Sequence, residues 1–102
     1  MFGNLGKIAG LMKQAKEIQK QMKEELPKKE FTASAGGDKV IVVVSGDFKV
    51  KRITINPTAG NDPATLAHLT TDAVNAAMDM AKNYTASKMS ELTGGVDIPG
   101  LF

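Results

Sequence analysis

KVIVVVSGDFKVKRITI, residues 39–55, holds two β-branched runs hinged on Gly46-Asp47. Val, Ile and Thr are stiff at χ1 and fit a pleated surface, so Lys39–Ser45 and Lys49–Ile55 read as strands. A short Gly-Asp turn between them makes an antiparallel hairpin. Upstream, Glu30–Ala35 alternates in polarity and reaches the hairpin through Gly36-Gly37-Asp38. The three runs therefore predict an antiparallel meander. Val40-Ile41-Val42-Val43-Val44 is apolar on both faces, whereas a sheet with one wet face alternates cleanly. Both faces of this strand thus call for cover. A long helix can supply one side, and the economical source of the other is a second copy of the chain. On that reading Val40, Val42, Val44, Ile53 and Ile55 are the candidate dimer interface. The alternative is a monomer whose two helices wrap its own sheet.

Two helices flank the meander. In the first, from about Leu5 to Leu26, apolar residues recur at Leu5, Ile8, Leu11, Met12, Ala15, Ile18, Met22 and Leu26. Lys13, Lys16, Lys20 and Lys23 keep the same rhythm about 140° further around the axis. Pro27 stops this helix, because the residue before a proline is pushed out of the helical region. Asp62-Pro63 opens the last helix with a capping carboxylate and a proline in the first turn. That helix is predicted to run to about Leu92 and to end at Gly94-Gly95, with an irregular tail beyond. Leu66, Leu69, Ala73, Ala76, Ala77, Met80 and Tyr84 form an alanine-rich stripe along it. Paired with Gly6 and Gly10, this stripe would let the two helices form an antiparallel arm. Alternatively, both stripes pack on the sheet. The whole is an α+β chain of order α-β-β-β-α, read as one domain over residues 1–102.

Little in the sequence supports catalysis. The chain has no cysteine and one histidine, His68, which sits between leucines on the last helix. No cluster of His, Cys and carboxylates has metal-ligand spacing. Neither glycine pair lies in a phosphate-loop context. The reading is of a non-enzymatic protein with no cofactor, no metal and no small-molecule substrate. No run of about eighteen apolar residues is present to span a membrane. MFGNLGKIAGLMKQAK is not a signal peptide, since Lys7 and glycines interrupt its apolar stretch.

Cation display remains. Residues 1–29 carry seven lysines against three glutamates, a net +4, while the remaining residues carry six basic and eight acidic groups, a net −2. Such asymmetry points to one cationic surface. Lysine ammonium groups meet phosphate oxygens as point charges and read no bases. With a single arginine and no aromatic row, the chain is poorly equipped for base readout or for stacking single strands. The candidate phosphate contacts are Lys7, Lys13, Lys16, Lys20 and Lys23, assisted by Lys82 and Lys88, which an antiparallel arm would bring toward Lys7 and Lys13. Lys49, Lys51 and Arg52 add charge on the third strand. Two other readings compete: a scaffold dimer gripping a protein between its arms, or attachment of the basic first helix to a membrane surface.

MFGNLGKIAGLMKQAKEIQKQM, GGDKVIVVVSGDFKVKRITINP and KMSELTGGVDIPGLF occur in this order along essentially the whole chain. The MFG…LMKQA start, the RITINP strand end and the TGG-x-x-IPG-L-F tail resemble the YbaB/EbfC family of bacterial nucleoid-associated proteins. That resemblance implies an α-β-β-β-α homodimer joined through its sheets, with helical arms projecting like tweezers. It further implies binding to double-stranded DNA in the cytoplasm, at the nucleoid, with effects on nucleoid organisation or gene expression.

Overall fold

The computed structural model describes the backbone of residues 2–93 and the side chains of residues 7–92. Helix α1 spans Phe2–Glu25 and is followed by a 3₁₀ turn at Leu26–Lys28. Strands β1 (Glu30–Ala35), β2 (Val40–Ser45) and β3 (Val50–Ile55) come next. A second 3₁₀ turn at Pro57–Ala59 leads to helix α2, Pro63–Thr93. The α-β-β-β-α order and the antiparallel meander β1-β2-β3 agree with the sequence reading. The Gly94-Gly95 stop and the irregular tail lie outside the described residues.

Asp62 caps α2. Its Oδ2 accepts from the Thr65 amide at 3.3 Å and from the Thr65 hydroxyl at 2.5 Å. These bonds satisfy an amide that the first turn would otherwise leave unpaired. Along α2, Ala73, Ala77 and Ala81 recur every four residues and are fully buried against Val40, Val42 and Val44. Alanine has no bulk beyond Cβ, so the helix lies close on the sheet, over β1 and β2. Ala73 and Ala77 of the predicted stripe therefore pack on the strands, not on α1, with Ala81 beside them, whereas Ala76 and Met80 of that stripe stay exposed, and Gly10 has no neighbour for close helix approach.

Two expectations change here. Val40, Val42 and Val44 are buried under α2 within the single chain, so they present no surface to a partner. On the opposite face Arg52 on β3 donates to Glu30 on β1 at 3.4 Å, reaching across β2, where Val43 is 8% exposed and Ile41 is half-buried. The uncovered strand is β3. Val50, Ile53 and Ile55 stand opposite Val44, Val42 and Val40, on the α2 side of the sheet. They lie outside the footprint of α2 and remain 45–49% exposed.

The root of α1 is clamped to the β2–β3 turn. Pro27 converts the end of the helix to a 3₁₀ turn, closed by the Lys29 amide donating to the Leu26 carbonyl at 3.2 Å. The Gly46 amide then donates to the carbonyls of both Leu26 and Lys29, at 2.9 and 3.0 Å. A Cβ on Gly46 would sit 2.8 Å from the Leu26 carbonyl oxygen, so only glycine permits this approach. From this root α1 projects. The molecule measures 68 × 18 × 17 Å with a radius of gyration of 18.9 Å, against about 13 Å for a compact chain of this length. No described helix is long and apolar enough to cross a membrane.

Two outcomes follow. Gly46→Ala should destabilise the fold by about 1–3 kcal/mol, because backbone must move to admit the methyl group; urea denaturation measures this. Hydrogen bonds from the Thr65 hydroxyl, and then from its amide, hold the Asp62 carboxyl below the usual carboxylate range. A native pKa below the unfolded one gives stability that is complete above the usual range and is lost as pH falls through the lowered value. Asp62→Asn, which keeps a capping oxygen, should remove this part of the acid sensitivity, read from unfolding midpoints at pH 7 and pH 3.

Candidate nucleic-acid interface

Unbroken helix from Phe2 to Glu25 fixes where the α1 lysines stand. At about 100° per residue, Lys13, Lys16, Lys20 and Lys23 fall within an arc of about 80° and extend about 15 Å along the axis. All four are exposed, and none takes part in an ion pair among the described residues. Lys7 is also exposed but lies roughly 160° from the middle of that row, so it is not part of the same face.

Several other cations are engaged, while Lys28, Lys39 and Lys82 stay exposed and in no ion pair among the described residues. Lys49 lies 3.9 Å from Asp47. Lys51 and Arg52 both meet Glu30, at 4.0 and 3.4 Å. Lys29 sits over the Tyr84 ring, 5.7 Å from its centroid, and that ring packs against Phe31. Asp47 accepts a short hydrogen bond from the Ser45 hydroxyl, which lowers its pKa further into the ionised range. The β3 side of the molecule is thus largely charge-compensated, and the free positive charge is concentrated on α1.

Lys88 departs from expectation. Its Nζ is 3.9 Å from Glu25 at the root of α1, and its side chain is half-buried. Eighteen residues of helix separate Glu25 from Lys7, about 27 Å. Lys88 is therefore a tie between the two helices and does not join Lys7 or Lys13. Lys82 remains exposed on the flank of α2 above the sheet. The tie also sets how far the helices overlap: α1 and α2 meet where Ile18, Met22 and Thr85 are buried, and the rest of α1 runs free.

Phe48 and Val50 add to the exposed apolar surface beside Ile53 and Ile55, which the sequence pattern did not indicate. Phe48 occupies the left-handed region, φ 64, and the residue is 45% exposed. A side chain is strained there. Val50 joins the exposed row because Lys51 is an extra residue at a register shift, with Val44 opposite Val50 and Val43 opposite Arg52. The apolar letters at 50, 53 and 55 were visible, but the bulge that aligns them was not.

A family model, the YbaB/EbfC DNA-binding family, matches residues 3–96. The chain belongs to this family. A nucleoid-associated protein of Clostridium kluyveri is 44% identical over 106 residues, spanning 99% of this chain and 93% of its own length. Another, from Pseudomonas fluorescens, is 38% identical over 102 residues, spanning 92% and 91%. An uncharacterised protein of Helicobacter pylori has the same fold, with a TM-score of 0.75 at 17% identity over 84% of this chain and 92% of that one.

The Lys88–Glu25 tie is testable on its own. A double-mutant cycle with Lys88→Met and Glu25→Gln should give a coupling of about 0.2–1 kcal/mol in chemical denaturation, the range of partly exposed pairs.

Proposed function

We propose that this protein is a dimeric, non-enzymatic binder of double-stranded DNA associated with the bacterial nucleoid, holding duplex through phosphates with little base readout. The observation that carries this reading is the contrast in charge pairing. Lys49, Lys51 and Arg52 at β3 are matched by carboxylates, whereas Lys13, Lys16, Lys20 and Lys23 form an unmatched row on a projecting helix. A row of free ammonium groups gains by displacing the counterions condensed on a duplex. Lys7 and Lys82 serve as outlying contacts; Lys88, tied to Glu25, does not. Membership of a DNA-binding family and the names of the bacterial relatives support the same reading, and with it a place at the nucleoid within the cytoplasm.

Dimerisation is inferred from β3. Its outer edge has no neighbouring strand, and Phe48, Val50, Ile53 and Ile55 expose apolar surface along it. An unprotected apolar edge of this kind is normally covered. A second copy supplies a matching row, so Ile53 and Ile55 keep the interface role expected of them while Phe48 and Val50 take the place of the β2 valines.

Both parts can be measured. For random duplex, log K against log salt should fall linearly. Lys16→Ala should weaken binding alike on all sequences and reduce the slope by about one unit. A flat salt plot would exclude the mechanism. Sedimentation should give the mass of two chains, and Ile53→Asp should give the mass of one.

A further inference from the structure

A second charge pattern runs beside the α1 lysines. Glu17 and Glu24 are exposed, about two turns apart, and take part in no ion pair among the described residues. Both fall about 60–80° to one side of the middle of the lysine row, next to Lys13 and Lys20. On the other side of the row stand Met12 and Gln19, which carry no charge. Between residues 7 and 25, the only other residue within the arc of the row is Ala9. The surface is thus a cationic strip about 15 Å long with a carboxylate margin along one border.

That margin decides how the strip can meet a duplex. The major groove of B-DNA is about 12 Å wide, and a helix with its side chains is about 10–12 Å across, so a helix in the groove presents both flanks to phosphate walls. In that position α1 would press Glu17 and Glu24 against one wall, like charge on like. Lying edge-on along a single wall, it brings all four ammonium groups to phosphates and leaves the carboxylates to the side. At about 3.4 Å per phosphate along one strand, the row covers about four phosphates, one for each lysine.

We propose that this strip takes double-stranded RNA as a ligand alongside DNA, a proposal that rests on the phosphate-binding reading above. The major groove of A-form RNA is too deep and narrow for side chains to read, which excludes a helix that must enter it. The phosphate walls remain on the outside, where an edge-on helix meets them. An ammonium group is a compact point charge on a flexible stem, so it follows a changed phosphate spacing without a fixed fork geometry. Telling RNA from DNA takes a group placed to read the 2′-hydroxyl. A strip of ammonium groups and one methyl favours neither sugar. A single strand is the poorer ligand, because it releases fewer counterions per contact and the strip has no aromatic ring on which bases could stack.

Fluorescence anisotropy of the full chain tests this with DNA and RNA duplexes of one sequence at one ionic strength. Dissociation constants within about tenfold of each other are expected, because the same four lysines set the number of phosphate contacts. Replacing Lys13, Lys16, Lys20 and Lys23 with alanine should weaken both duplexes alike, with helix content unchanged by circular dichroism. Normal binding of DNA with RNA weaker by more than about tenfold would overturn the proposal and leave the DNA reading standing. Failure of both duplexes to bind would overturn the DNA reading and the proposal with it. RNA binding that survives the four substitutions would place RNA on another surface and likewise overturn the proposal. The posture of the helix has its own readout. A DNA duplex whose cytosines carry bulky C5 groups, which project into the major groove, should bind as tightly as the plain duplex. A clear loss would place α1 in the groove and overturn the proposal.

Discussion

Contact between three alanines and three valines sets the geometry of this molecule. Ala73, Ala77 and Ala81 let α2 lie directly on Val40, Val42 and Val44. A close helix is a narrow cover, and it reaches β1 and β2 only. The apolar row of β3 is left outside. The helix is also longer than the sheet it covers, at about 46 Å for 31 residues. Its free end becomes the surface on which Ile18 and Met22 bury themselves. The two features that point to function, an uncovered edge strand and a projecting helix, therefore follow from one packing choice.

Electrostatics act on this frame by subtraction. Thirteen basic residues and eleven acidic ones nearly cancel over the whole chain. They do not cancel locally. Glu30 is placed to meet both Lys51 and Arg52, and Asp47 to meet Lys49, while Glu25 draws Lys88 inward. The longest unpaired row that survives is on α1, held at a fixed root by the amide of Gly46, and Lys7, Lys28, Lys39 and Lys82 are scattered charges besides. A row on a rigid helix can engage several phosphates at once without first ordering a loop, which keeps the entropic cost of binding low.

Much of the fold was legible in the sequence because its signals are local. Proline at 27 and 63, glycines at 36, 37 and 46, and β-branched runs mark boundaries that the strands and α2 reproduce within one residue. The placement of Lys13, Lys16, Lys20 and Lys23 on one exposed helix face was legible because it depends on helical periodicity. Placement was illegible where it depends on long-range register. That Lys88 meets Glu25 depends on how far α2 overlaps α1. That Val40, Val42 and Val44 serve the chain's own core depends on which strands α2 crosses. That Val50 joins Ile53 and Ile55 depends on a bulge at Lys51. None of these is a property of a short window of residues.

The central claim is that free charge on α1, and not total charge, holds duplex DNA. Fluorescence anisotropy with a random duplex at fixed ionic strength tests it by comparing two variants. One replaces Lys13, Lys16, Lys20 and Lys23 with alanine; the other replaces Lys49, Lys51 and Arg52. The account predicts that the first abolishes binding while the second leaves most of it intact. Loss of binding in the second with retention in the first would contradict the account.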